Sequence, residues 1–177
     1  YGDELGMGDW PGLRDRDPNR TPMAWTPARN GGFSTAPDPL LVLPPITAPG
    51  YDYRVVNVEV QKQLPGSLLN WHRRMLTCRR LLPALRHGDF ELLKCPHPGV
   101  ISYVRCDGSM TVLVAANLSA AGASLHLDLS RWSGERTREV FWGCEYPPAS
   151  EDWFVYLPAH GFSWWLIGEV EDVNPDP

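Results

Sequence analysis

No apolar run in the 177 residues approaches the roughly 20 that a membrane-crossing helix needs, so no such helix is expected. None of the four cysteines, Cys78, Cys95, Cys106 and Cys144, falls in a C-x-x-C pair, and no metal is expected to bind this segment. Their scatter suits buried, reduced thiols of a cytoplasmic protein better than a disulfide framework. Basic charge is scarce: 16 Lys and Arg against 21 Asp and Glu leave a net charge of −5. Without a basic patch, nucleic acid is not an expected partner, and nothing points to a membrane. Also absent are G-x-S-x-G, H-E-x-x-H, a P-loop and a G-x-G-x-x-G opening a helix, which removes the usual signatures of serine hydrolases, zinc proteases and nucleotide binders. No internal repeat is evident.

What is present is enough apolar material for a core, 43% of residues, and a length that fits one domain or a small domain with part of a neighbour. The chain changes character along its length. Residues Tyr1 to about Pro65 are rich in Pro, Gly, Asp and Asn and show little periodicity, the mark of functional loops resting on a scaffold. In "SLLNWHRRMLTCRRLLPAL", Leu68, Trp71, Met75, Cys78 and Leu82 recur at steps of three and four, which predicts one face of an amphipathic helix. Ser67 is its expected N-cap and Pro83 its expected end. Arg73, Arg74, Arg79 and Arg80 lie mainly off that face and read as a solvated surface. "YDYRVVNVEVQ" fits a strand, a loop or a helix start equally.

Beyond Pro83 the period becomes two. "DFELLK", "GVISYVRC", "MTVLVAANLS", "ASLHLDL", "TREVFW", "DWFVYLP" and "GFSWWLI" read as strands separated by Gly, Pro, Asp and Ser. Asp107-Gly108 between the second and third is a hairpin signal. Leu125, Leu127 and Leu129 share one face of their strand, His126 and Asp128 the other. This spacing predicts an antiparallel sandwich. Trp164 and Trp165, adjacent in a strand, must point to opposite faces, so at least one is expected in the core. The tail "GEVEDVNPDP" reads as an acidic linker or end.

The irregular half holds the candidate chemistry. Asp3, Glu4, Asp9, Asp15, Asp17 and Asp38 are concentrated there, and a pair of carboxylates flanking a bond can hydrolyse a glycoside. Asp also favours turns for its own hydrogen-bonding reasons, so these carboxylates equally suit loop structure. Arg14, Arg16 and Arg20 offer planar forks that grip carboxylates and sugar hydroxyls, on a loop stiffened by Pro18 and Pro22. Trp10, Trp25, Phe33, Tyr51 and Tyr53 offer flat faces on which sugars pack, although Trp25 and Phe33 read as core. The sandwich tryptophans Trp132, Trp142, Trp153, Trp164 and Trp165 leave a carbohydrate-binding module as an alternative, and a purely structural domain as another.

"YGDELGMGD", "RDRDPNRTPMAW" and "RNGGFS" together resemble the segment after the eighth barrel strand of α-amylase superfamily enzymes, closest to those acting on disaccharides. "LLVLPPITAPGYDYRVVNVEVQ", the helix sequence and "YLPAHGFSWWLI" are similar to the trehalose synthase family, the maltose–trehalose isomerases. The resemblance implies an α+β fragment: the last loop and helix of a (β/α)8 barrel, residues 1–83, followed by an antiparallel β-sandwich C-terminal domain, residues 84–168, and an acidic tail or linker, residues 169–177. It also implies a C-terminal fragment cut just after the last barrel strand, which accounts for a start at Tyr1 without Met. The family's three catalytic carboxylates would lie upstream, so no residue here is expected to be catalytic and the fragment alone is expected to be inactive.

What the resemblance carries over is substrate binding. An Arg of the "RDxxRTPMQW" loop is implied to pair with an upstream Asp and close the inner end of a glucose pocket; Arg20 and Arg16 are the candidates, with Arg20 preferred. Asp15 and Asp17 would orient the loop or touch the acceptor glucose. The implied substrates are maltose and trehalose, and the β-domain would pack on the barrel. No cofactor is expected in this segment; calcium in the parent barrel, a homo-oligomer and a fused maltokinase are options the resemblance leaves open. Ala24 replaces the motif's Gln, and Pro18-Asn19 replaces a Gly and a small apolar residue. "RDPNRTPM" leans toward α-glucosidases, the alternative enzyme reading.

Overall fold

The computed structural model describes residues 1–108 and 110–168; the acidic tail at 169–177 lies outside the described residues. The chain divides into two compact units, Tyr1–Arg74 and the part from Met75 onward.

The first unit is built of turns. Short 3-10 turns occupy Asp3–Leu5, Asp17–Asn19, Arg29–Gly32 and Asp38–Leu40, and no strand occurs among residues 1–74. The first α-helix, α1, spans Val58–Gln63. Its start is fixed by Asn57, which is fully buried and whose Oδ1 accepts from the Val60 N–H at 2.9 Å. Its next two free N–H groups, Val58 and Glu59, donate at 3.0 Å to the carbonyls of Ala24 and Trp25. The valines of "YDYRVVNVEVQ" suggest a strand by composition, but a capped first turn with outside acceptors makes the segment helical.

Gln61 joins three pieces of this unit. Its Nε2 donates to Leu5 O at 2.7 Å, its Oε1 accepts from Leu69 N at 3.0 Å, and its carbonyl accepts from Ser67 Oγ at 2.7 Å. Gln61→Leu would leave the Leu5 carbonyl and the Leu69 N–H buried without partners. It should cost about 3 kcal/mol in urea unfolding, since each buried orphan costs about 1–3 kcal/mol. A loss under about 0.5 kcal/mol would show that this amide holds nothing together.

The second helix, α2, spans Leu68–Leu81. Ser67 caps it as expected, accepting from the Asn70 N–H at 3.3 Å. The expected face is rotated at its start: Leu69 rather than Leu68 is buried, while Cys78 and Leu82 are fully buried as expected. Pro83 ends α2, but it also opens α3, Pro83–His87, after Leu82 takes an extended conformation.

The second unit carries the sandwich. Strands β1 (Asp89–Leu92), β2 (Val100–Asp107), β3 (Met110–Asn117), β4 (Ala123–Leu127), β5 (Thr137–Glu139), β6 (Glu145–Tyr146), β7 (Trp153–Leu157) and β8 (Phe162–Ile167) form two antiparallel sheets. Their orders are β1-β2-β3-β8-β5-β6 and β4-β7. The β2–β3 hairpin closes on the pair Asp107–Met110, with Gly108 at φ 57°, so Asp107 is the last strand residue rather than a turn centre.

The inward faces follow from register. Val104, Leu113 and Trp165 lie opposite one another across β2, β3 and β8. Leu125 and Leu127 of β4, with Trp153, Val155 and Leu157 of β7, complete the same apolar cluster. Trp165 meets the rings of Trp153 and Tyr146 edge-on at 5.2 and 5.6 Å. Trp164 is buried on the opposite face against Phe141, ring centres 4.9 Å apart. Both indoles are therefore core, because β8 is covered on both sides. The thiols differ from expectation in one place: all four are free, but only Cys78 is fully buried and Cys144 is exposed. Glu139 is a buried carboxylate with partners, accepting from Ser163 Oγ at 2.7 Å and from the Trp142 N–H.

Candidate sugar-binding loop

Residues 1–21 make a closed loop. Gly2 and Gly6 bracket the Asp3–Leu5 turn at φ 91° and 68°, a left-handed conformation that costs a side chain strain. Leu5 between them is buried. The chain leaves, turns at residues 11–16 and returns: the Trp10 N–H donates to Pro18 O at 3.0 Å. Asp15 sits at the tip with φ 54°, a position that Asp tolerates better than most residues. Pro18 lies inside the Asp17–Asn19 turn, which closes when the Arg20 N–H donates to Asp17 O at 3.1 Å. The phenol of Tyr1 lies within bonding distance of two carbonyls, Arg20 O at 3.0 Å and Thr21 O.

A cavity of about 450 Å³ opens between the two ends of this loop. Tyr1, Asp3, Asp9, Asn19 and Arg20 give it a polar wall. A second cavity of about 400 Å³ also adjoins Tyr1 and Arg20 and is lined mostly by apolar groups, among them Pro22, Phe33 and Leu41. Arg20 is exposed and forms no ion pair among the described residues. Of the four substrate-binding candidates, Arg20, Arg16, Asp17 and Asp15, only Arg20 lines the polar cavity, and of the candidate carboxylates Asp3 and Asp9 do. Arg16 and Asp15 are exposed on the loop tip, and half-buried Asp17 supplies the carbonyl that holds the Arg20 N–H. Tyr1, Asp3, Asp9 and Asn19 join Arg20 there. For Tyr1 and Asn19 the sequence held no signal, since neither the phenol contact nor the cavity follows from local pattern.

Residues 24–36 fold back on themselves. The N–H groups of Trp25 and Thr26 donate to Gly31 O at 2.8 and 3.1 Å. Asn30, buried at φ 56°, donates through Nδ2 to Ser34 O and Ala36 O at 3.0 and 2.9 Å. Ala24, where the family motif has Gln, is buried with its backbone against Gly31. Trp25 and Phe33, expected in the core, are 50% and 39% exposed. Each sits on a turn whose own hydrogen bonds fix its backbone, so neither side chain is drawn under the surface of this unit. Tyr51 packs its ring directly on Gly8, where an added Cβ would approach it to 2.6 Å.

Asp52 and Arg54 stiffen the next turn. Arg54 Nε and the Arg54 backbone N–H both donate to Asp52 Oδ1, at 2.9 and 2.8 Å. Hydrogen bonds from the Arg54 side chain first, and from its backbone second, hold the Asp52 pKa down at about 2. A depressed carboxylate stabilises the folded state above its unfolded pKa, near 4, and loses that contribution as the pH falls through 2. Asp52→Asn should therefore flatten the fall of the unfolding midpoint between about pH 4 and pH 2. An unchanged pH profile in that variant would contradict the assignment.

Two family models match the chain. Residues 1–88 match the α-amylase catalytic domain, and residues 90–164 match the maltogenic amylase C-terminal domain. The chain belongs to the α-amylase family. A trehalose synthase/amylase of Mycobacterium tuberculosis is 45% identical over 171 residues, 94% of this chain and 28% of that protein. A trehalose synthase of Pimelobacter sp. is 44% identical over 176 residues, 97% of this chain and 31% of that protein. This α-amylase family chain thus spans less than a third of the length of the curated relatives it matches. Among solved structures, a trehalulose synthase MutB variant has the same fold with a TM-score of 0.72 at 22% identity, covering 94% of this chain and 34% of that one.

For an α-amylase family member, the sandwich offers little of the exposed tryptophan surface of a carbohydrate-binding module. Trp153, Trp164 and Trp165 are buried and Trp132 is half-buried, which leaves Trp142 as the exposed indole. No group of three or more His, Cys, Asp or Glu among the described residues is placed to hold a metal ion. No described helix is long and apolar enough to cross a membrane.

Proposed function

We propose that this chain is the C-terminal part of a trehalose synthase-like enzyme that interconverts maltose and trehalose by intramolecular, retaining glucosyl transfer. In this reading residues 1–83 supply one wall of the glucose pocket and the last helical segment of the barrel, and residues 84–168 are the C-terminal domain. The observation that carries the reading is Arg20: a guanidinium with no ion-pair partner among the described residues, on a backbone held at both ends, lining a polar cavity in a chain 45% identical to a trehalose synthase/amylase. In this reading its partner is a carboxylate elsewhere in the enzyme. The bidentate pair would close the inner end of the pocket and hold one terminal glucose.

The role suits the chemistry. In a retaining transfer a carboxylate displaces the glucosidic oxygen, the leaving glucose takes a proton from a general acid, and a hydroxyl then displaces the carboxylate. Isomerisation needs the freed glucose to stay, turn and return through its anomeric hydroxyl. Water that enters first gives two glucose molecules instead. In this reading the loop at 9–25 restricts that entry, and the Trp10–Pro18 hydrogen bond that ties it supports the role. The nucleophile and the acid belong to the part of the enzyme outside this chain. The reading is tested by giving the full-length enzyme maltose and following products by NMR. Trehalose in excess over glucose supports isomerisation; glucose alone would make the enzyme an α-glucosidase.

A further inference from the structure

Tyr1 stands out in the first unit because its hydroxyl reaches across the loop to the main chain that carries Arg20. The phenol oxygen is 3.0 Å from Arg20 O and also within bonding distance of Thr21 O, 19 and 20 residues away in sequence. A phenol has one proton, so it donates to one of these carbonyls at a time and the two compete for it. The peptide between Arg20 and Thr21 is thereby held on its carbonyl side. The preceding peptide, Asn19–Arg20, is held as well: its Arg20 N–H donates to Asp17 O at 3.1 Å, so the chain is fixed on both sides of the Arg20 Cα. Thr21 is buried, so its end of this peptide is enclosed. The Tyr1 ring itself lines both cavities, the polar one and the apolar one, with Arg20 at the shared edge.

We infer that Tyr1 is a positioning residue: its hydroxyl clamps the 20–21 peptide so that the Arg20 guanidinium is aimed into the polar cavity and not into its apolar neighbour. The inference rests on the proposed role of Arg20 and extends it to the residue that sets its direction. A long side chain such as Arg carries many rotamers, and fixing the main chain at its root removes the backbone share of that freedom. The consequence is selective. A loosened peptide keeps the Arg20 guanidinium but aims it less firmly, which lets the pocket wall open during the interval when the glucosyl group is on the enzyme. Water then competes better with the retained glucose.

The test compares wild type, Tyr1→Phe and Arg20→Ala as full-length enzymes on maltose, with the trehalose-to-glucose ratio and hydrogen exchange across residues 14–21 as readouts. Tyr1→Phe keeps the ring and removes the donor. It should lower the ratio by about fivefold, the equivalent of one hydrogen bond, and speed exchange of the Arg20 amide. Replacing Tyr1 by 4-aminophenylalanine, which restores a donor at the same place, should recover both, and a merely structural role would not track the ratio in this way. If Arg20→Ala shifts the ratio and Tyr1→Phe leaves both readouts unchanged, the clamp is overturned and the pocket-wall role of Arg20 survives. A changed ratio with unchanged exchange also overturns the clamp, because the phenol would then act on the sugar directly. If Arg20→Ala itself leaves the ratio unchanged, the reading beneath the inference fails with it. Should Tyr1→Phe not fold, the exchange and product comparison of wild type with the 4-aminophenylalanine protein decides alone: matching values support the clamp, and altered values overturn it.

Discussion

Arg20→Ala in the full-length enzyme should lower kcat/KM for conversion of maltose to trehalose by at least about a hundredfold. Removing one partner of a desolvated ion pair leaves the other charge uncompensated, which costs about 3–5 kcal/mol. Here that orphan would be a carboxylate at the end of the glucose pocket, where it would also repel the substrate's lone pairs. The thermal midpoint should change little, because the Arg20 side chain is exposed in this unit and its backbone bonds to Asp17 and Tyr1 survive the substitution. Arg16→Ala is the internal comparison: Arg16 stands exposed at the start of the Asp17–Asn19 turn and does not line the cavity, so its effect should be several-fold at most. Equal losses from the two substitutions would remove the distinction between them.

The second large effect is on folding. Trp165→Ala should destabilise the sandwich by about 4 kcal/mol, within the ~3–5 kcal/mol typical of a buried aromatic cut back to Ala. Trp165 is fully buried, sits opposite Leu113 of β3 and Glu139 of β5, and meets Trp153 and Tyr146 edge-on. Among the described residues its Nε1 has no hydrogen-bond partner, so nearly all of the loss is packing and cavity. Trp165→Phe should therefore be much milder, because it removes volume and no bond. Trp153→Phe differs: its Nε1 donates to Pro147 O at 2.9 Å, an acceptor that Thr137 Oγ1 also uses. Against a domain stability of about 5–15 kcal/mol, the alanine variant should be largely unfolded at moderate urea concentration. Leu118→Ser, at an exposed site, should stay within about 0.5 kcal/mol. Urea unfolding followed by tryptophan fluorescence measures all four.

These two residues also mark how far the sequence could be read. The sandwich was legible because its signals are local: period-two alternation in "SLHLDL" becomes the buried Leu125 and Leu127, and each strand segment reads without knowledge of its partners. The short strand Glu145–Tyr146 was not legible, since two residues have no period and exist as a strand only through pairing with β5. Helix α2 was located correctly, but its inner face was off at the start because Leu69 is engaged by Gln61, a contact across eight residues that no helical wheel contains. For helix α1 the sequence does not choose between strand, loop and helix start, because its cap and its acceptors come from Asn57, Ala24 and Trp25, two of them more than thirty residues away.

The candidate site divides in the same way. Arg20 is a candidate because its loop resembles a family motif, a pattern of residue types along the chain, and it lines the polar cavity. Tyr1, Asp9 and Asn19 beside it depend on how the loop closes, and the closure is a backbone hydrogen bond from Trp10 to Pro18. Trp25 and Phe33 were read as core from their size alone. Their exposure follows from turns fixed by main-chain bonds and by left-handed Asn30, Gly31 and Gly32.

The central claim is that this chain shapes a glucose pocket while the bond-breaking groups belong to the rest of the enzyme. The direct measurement is maltose turnover by the purified 177-residue chain beside the full-length enzyme, with trehalose and glucose quantified from the same samples. The account predicts no product from the chain alone and trehalose from the full-length enzyme. Turnover of maltose by the chain by itself would contradict it.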